Sequence, residues 1–178
     1  ILVDRVENAK ESQEDAQEQF NSALEAFSAA VAFDGGELED VYNRLNGQYE
    51  DSVAASEEVS SRIDKVESVA EALFDEWSEE LEKYENASLK RDSAAKLRET
   101  KRRYASLMTA MRKAESKMPP VLSALQDNVL YLKHNLNASA IGALQGELST
   151  IENNVAQLIR QMNSAIAESD AFISSMKN

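Results

Sequence analysis

The 178 residues contain no cysteine. That excludes a disulfide, a thiolate zinc site and a thiol nucleophile. With 1 histidine there is no two-histidine metal cluster. With 5 glycines and 2 prolines the chain has too few turn formers for a sandwich or barrel of many short strands. It also lacks any run of 18 apolar residues, so no segment reads as a membrane-spanning helix. Basic side chains are outnumbered, 19 against 32 acidic, for a net charge of −13. That balance argues against nucleic acid as a partner.

What remains is the material of long helices. Apolar residues make up 43% of the chain and aromatics only 6%, with Ala, Glu, Ser and Leu dominant. The length suits a single elongated domain, residues 1–178. Its fold class reads as all-α.

Apolar periodicity divides the chain into four rods. In the first, about 1–32, Leu2, Ala9, Ala16, Ala23 and Ala30 recur at sevens. Val6, Gln13, Phe20 and Phe27 interleave with them, giving a heptad over four repeats. The Asp34-Gly35-Gly36 sequence then predicts a turn, because glycine just past a helix accommodates a left-handed terminator. It lacks the spacing and lysine of a phosphate-binding loop.

The second rod, about 37–85, carries Tyr42, Tyr49, Ser56, Ile63, Ala70, Trp77 and Tyr84 in one column. Leu38, Leu45, Ser52, Val59, Val66 and Leu73 form the other. The phase passes through Asn46-Gly47 unbroken, so that pair predicts a weak point in a continuous helix. Ser52 and Ser56 at core positions predict a small polar layer that sets register or leaves room for a bulky neighbour.

The third rod, about 89–135, holds Leu97, Tyr104, Met111, Met118, Leu125 and Leu132 at strict sevens. Pro119-Pro120 lies inside it and predicts a kink at 119–120. The fourth, about 138–176, has Ile141, Leu148, Val155, Met162, Ser169 and Met176, interleaved by Leu144, Ile151, Leu158, Ala165 and Phe172. A flanking stripe of Ile159, Ile166 and Ile173 widens its apolar face. Gly142 and Gly146 at i, i+4 would permit close helix packing.

Short connections give an elongated antiparallel up-down-up-down bundle of coiled-coil-like helices. Because the first rod covers only part of the second, one end of the bundle should be three helices thick, unless residues upstream of Ile1 extend the first rod along it. The chain opens on Ile1, already in helical phase, so an export signal or anchor is expected upstream.

Charge is segregated. Residues 34–88 carry 17 acidic and 4 basic groups, whereas residues 89–117 carry 3 and 10. The basic band is Lys90, Arg91, Lys96, Arg98, Lys101, Arg102, Arg103, Arg112, Lys113 and Lys117. One reading pairs it with the acidic half of the second rod, through Glu67, Glu71, Asp75, Glu76, Glu79, Glu80, Glu82 and Glu85. The other makes it a patch for an anionic surface. The adjacent acidic wall favours the first.

Catalytic chemistry finds no constellation of nucleophile, base and acid, and the chain reads as no enzyme, without metal or cofactor. His134, beside Asn135 near a helix end, reads as a surface or capping residue. A di-iron site in a helical bundle needs paired Glu-x-x-His motifs, and residues 131–134 are Tyr-Leu-Lys-His. The aromatic column Tyr42, Tyr49, Trp77 and Tyr84 reads as core.

Several stretches carry a family likeness. They are Ile1-Leu-Val-Asp-Arg-Val-Glu7, Glu14-Asp-Ala-Gln-Glu-Gln-Phe20, Phe33-Asp-Gly-Gly-Glu-Leu-Glu-Asp40, Ala70-Glu-Ala-Leu-Phe-Asp-Glu-Trp77 and Leu132-Lys-His-Asn-Leu-Asn137. Together they resemble the bacterial domain-of-unknown-function 2959 family over essentially the whole chain. The resemblance implies an exported, lipoprotein-type protein, periplasmic or associated with the outer membrane, although a cytoplasmic location stays open. It supplies no catalytic residues.

The resulting expectation is a non-enzymatic scaffold or protein-interaction module of the cell envelope. Its partner would be another protein or a second copy, with Ile159, Ile166 and Ile173 as spare apolar surface for a homodimer. The rival is a peripheral membrane-surface or lipid-binding module using the band 90–117, with Lys96, Arg98, Lys101, Arg102 and Arg103 at its centre.

Overall fold

The computed structural model describes residues 1–33 and 35–177. Helix follows helix, with no strand among the described residues. α1 spans Leu2–Val31, α2 Leu38–Leu81, α3 Ala87–Ser116, α4 Met118–His134 and α5 Ala138–Lys177. α3 and α4 run end to end as one rod, so five helices make a four-rod bundle. α1 packs on α2 and α5, and the α3–α4 rod packs on the same two from the opposite corner. α2 and α5 therefore face each other across one diagonal, and α1 faces α3–α4 across the other.

The heptad columns are the core. Every member of both α1 columns is buried, and Phe20, Ile63, Leu107, Met111, Leu144 and Leu158 are shielded completely. Sealing a side chain of that size contributes about 1.5–3 kcal/mol. The alanine column of α1 carries little bulk, which lets α2 and α5 approach closely. α2 passes through Asn46-Gly47 without interruption and at 1.5 Å per residue is about 66 Å long.

The helix ends have identifiable stops. Gly36 has φ of 106°, a conformation that side-chain-bearing residues rarely adopt. Asp34, the first residue of the expected turn, lies outside the described residues. Asn86 caps α3, its side chain accepting from the Leu89 amide at 3.0 Å. Asn137 caps α5 by accepting from the Ser139 and Ala140 amides.

Four expectations change. The third rod is interrupted at Lys117, two residues before the expected kink at 119–120. Pro119 and Pro120 lack the amide hydrogens that would bond back to residues 115 and 116, so the helix closes before them and restarts with them in its first turn. Ala114, Met118 and Val121 are buried, so the core crosses the break. α2 ends at Leu81 rather than near 85.

Among the described residues, the end of the bundle beside the α2–α3 turn is formed by α2 and α3 alone, where three rods were expected. α1 starts beside Val69 and Leu73, and Met176 near the end of α5 lies beside Trp77 and Lys96. Among the described residues, α2 and α3 continue beyond that level. Gly142 and Gly146 are exposed and nothing approaches the space a Cβ would take, so they make no close helix crossing.

Candidate functional site

The basic band lies along α3, and its geometry follows from helical spacing. Arg91, Arg98, Arg102 and Lys113 are separated by 7, 4 and 11 residues, which sets them on one face. All four are exposed. Lys101 leans toward α2, its Nζ 5.9 Å from the Phe74 ring centre. Lys96 and Arg103 turn toward the end of α5.

Pairing with α2 is narrower than the sequence suggests. Arg112 reaches Glu67 at 2.7 Å and Asp64 at 3.0 Å, and Lys90 approaches Glu82 at 3.8 Å. Of the eight carboxylates expected as partners, only Glu67 and Glu82 are engaged, and Asp64 is an addition. The other contacts stay within α3, Lys96 with Asp92 at 3.2 Å and Arg103 with Glu99 at 3.0 Å. Arg102 also binds Glu99, at 2.6 Å. The reason is geometric: positions on the outer face of α3 point away from α2, and carboxylates three or four residues away are nearer. No carboxylate of the described residues lies within 4.0 Å of Arg91, Arg98, Lys101, Lys113 or Lys117.

The electrostatics match these contacts. The hydrogen bonds from Arg102, with the positive charge of Arg103 nearby, hold the Glu99 carboxyl down to about 2. Burial pulls the Arg112 guanidinium downward, but Glu67, Asp64 and Glu115 overcome it and leave it raised. Tyr104, packed edge-on against Phe74 with ring centres 5.4 Å apart, is pushed up to about 12 by burial, with Glu67 and Glu71 adding to the effect.

Ile159, Ile166 and Ile173 are half-buried on the side of α5 that faces α1. That seam is spanned by the Gln17 amide, which donates to the Asn163 side chain at 2.7 Å and to the Ile159 carbonyl at 3.4 Å. Lys10 meets Asp170 at 2.6 Å and Lys177 meets Glu7 at 3.7 Å. The extra width of the α5 apolar face is thus taken up in part by α1 of the same chain.

Other residues singled out from the sequence have structural places. His134 is exposed at the last turn of α4. Ser52 is fully buried, donates to the Gln48 carbonyl at 2.8 Å and accepts from Gln19 at 3.3 Å. Ser56 is half-buried beside it in sequence. Tyr42 and Tyr49 pack on the core, whereas Tyr84 stands exposed near the hairpin tip. Trp77 is partly buried and donates to the Ser93 hydroxyl at 2.8 Å.

The sequence reading missed part of the core, Ala26, Val31 and Val129 among it. Phe74 is buried outside both α2 columns. Gln13 is fully shielded and neither polar atom of its amide finds a partner among the described residues. Its place in an apolar column was the available signal.

Among the described residues no helix is long and apolar enough to cross a membrane, and no three histidine or acidic side chains gather to hold a metal ion.

The fold and this surface define an all-helical bundle protein that displays charge along the α2–α3 helix pair. The chain belongs to the DUF2959 family, described as a protein of unknown function, whose model matches residues 1–176. No curated protein matches it.

Proposed function

We propose that this protein is a non-enzymatic helical scaffold, a protein-interaction module of the bacterial cell envelope. The observation that carries the reading is the mixed surface of the α2–α3 hairpin. Exposed cations on α3 stand beside exposed carboxylates on α2, and most engage no partner across the helix pair. A surface that alternates sign over one helix width suits a protein partner with its own pattern of charge better than a uniform polyanion. The envelope location rests on the family's resemblance to exported, lipoprotein-type proteins.

A photo-crosslinking residue placed at exposed Leu89 or Arg98 tests this in envelope extract. A discrete adduct is expected there and not from exposed Glu11 on α1. Absence of an adduct from the hairpin, or equal adducts from both faces, would overturn the reading.

A second reading is a peripheral module for anionic lipid, supported by the shared exposed face of Arg91, Arg98, Arg102 and Lys113. Co-sedimentation with anionic vesicles at low salt is its expected signature. No binding under those conditions sinks it.

A further inference from the structure

The α2–α3 pair carries two columns of unspent charge on its outer side. On α2, Glu71, Asp75 and Glu79 follow one another at intervals of four residues, all exposed. On α3, Arg91 and Arg98 stand seven residues apart, both exposed. No oppositely charged group of the described residues lies within 4.0 Å of any of them.

The contacts between the two helices fix where these columns point. Glu67, one step before Glu71 in the acidic column, reaches Arg112 on α3 at 2.7 Å, so that column starts on the α3 side of α2. Each further step of four residues turns about 40° outward. Arg112 lies two heptads beyond Arg98, so the cations lie on the α2 side of α3, likewise turned outward. The levels match as well. The Trp77 indole donates to Ser93, and Lys101 stands over the Phe74 ring. Arg98 falls between Ser93 and Lys101 and is therefore level with Asp75. Ser78 and Ala105 on the same face are small and exposed, so neither holds an approaching helix away.

Side by side on neighbouring helices, the two columns face out rather than toward each other. Their pairing is left to a molecule in front of them. We infer that this face pairs with the same face of a second copy, the two related by a two-fold axis along the rod. That axis lays α2 of each copy over α3 of the other at equal level. Asp75 and Glu79 of one copy then oppose Arg98 of the other, and symmetry supplies the reciprocal set. The face is thus its own complement in charge. A two-fold axis across the rod would set α2 on α2 and α3 on α3, where like charges meet. The inference rests on the interaction reading above and makes the partner a second copy.

Sedimentation equilibrium of the purified chain tests it at about 0.1 M salt, where charges farther apart than about 10 Å are screened. That screening mutes the repulsion between two chains of net charge −13 and spares charges in contact. A species of twice the chain mass is expected, reverting to the single mass at about 1 M salt. One variant carries Arg91→Glu with Arg98→Glu, a second Asp75→Arg with Glu79→Arg. Each should weaken self-association by about tenfold or more, since both contact zones then oppose like charges. An equimolar mixture of the two should restore it, because each reversed column meets its complement. All four positions are exposed, and circular dichroism checks that the fold is kept.

A single mass at about 0.1 M salt overturns the inference. So does a dimer that neither reversal weakens, or variants that fail to recover on mixing. If the chain stays single in solution while the probe at Arg98 captures a different protein in extract, the proposed function stands without this inference.

Discussion

Arg112 ties α3 to α2 by donating from Nη2 to Glu67 Oε2 at 2.7 Å, with Asp64 accepting from the same nitrogen at 3.0 Å. Glu115 binds the other terminal nitrogen at 3.1 Å, so three carboxylates share one guanidinium. Networks hold geometry better than isolated surface pairs. Arg112→Ala is expected to lower stability by about 1 kcal/mol. Arg98→Ala, on the outer face with no such partner, should change it by less than about 0.5 kcal/mol. Urea midpoints of the two variants measure the difference.

Gln13 occupies a core position of α1 with its amide sealed from water and unpartnered. Leaving both atoms unsatisfied costs more than the side chain gains by packing. Gln13→Met keeps the shape and removes the polar atoms. It is expected to stabilise the fold by about 1–2 kcal/mol, read as a higher urea midpoint at unchanged slope. A loss of stability would show that the amide is satisfied in solution.

Gly47, Gly142 and Gly146 sit in helices with open space where a Cβ would project. Replacing each by alanine should add about 0.5–1 kcal/mol by reducing backbone freedom in the unfolded chain. Gly36→Ala should do the opposite and cost about 1 kcal/mol, because its φ of 106° strains any side-chain-bearing residue. Thermal melts of the four variants separate the two classes.

Tyr104 is held neutral well above its ordinary range, up to about 12, chiefly by burial against α2. The folded state keeps its proton more tightly than the unfolded chain does. Its contribution is therefore intact below about pH 10 and is lost as pH rises toward about 12. Tyr104→Phe is expected to flatten the fall in unfolding free energy over that window. An unchanged slope would remove Tyr104 as its source.

The four rods and nearly all of the core were legible because heptad spacing is a property of the chain itself. Leu2 to Ala30, Leu97 to Leu132 and Ile141 to Phe172 fall on buried faces wherever such a helix packs. The break near Lys117 was displaced by only two residues, since the proline constraint acts backward along the helix. The candidate site was less legible. Tyr84 reads as a seam position, and only the packing of neighbouring helices shows that it stands exposed.

Charge segregation was likewise written in the sequence, with the acidic rod and the basic band visible in the counts alone. Which cations are spent could not be read there, because pairing depends on the angle at which each side chain leaves its helix relative to the neighbour. The sequence by itself determined an acidic all-helical bundle with one basic band, through periodicity and local composition. The tertiary structure decided that α1 takes up part of the isoleucine stripe and that, among the described residues, only Arg112 and Lys90 of the basic band pair with carboxylates of the acidic rod. It also decided how far each helix overlaps its neighbours, since register between helices is set by packing contacts far apart in the chain.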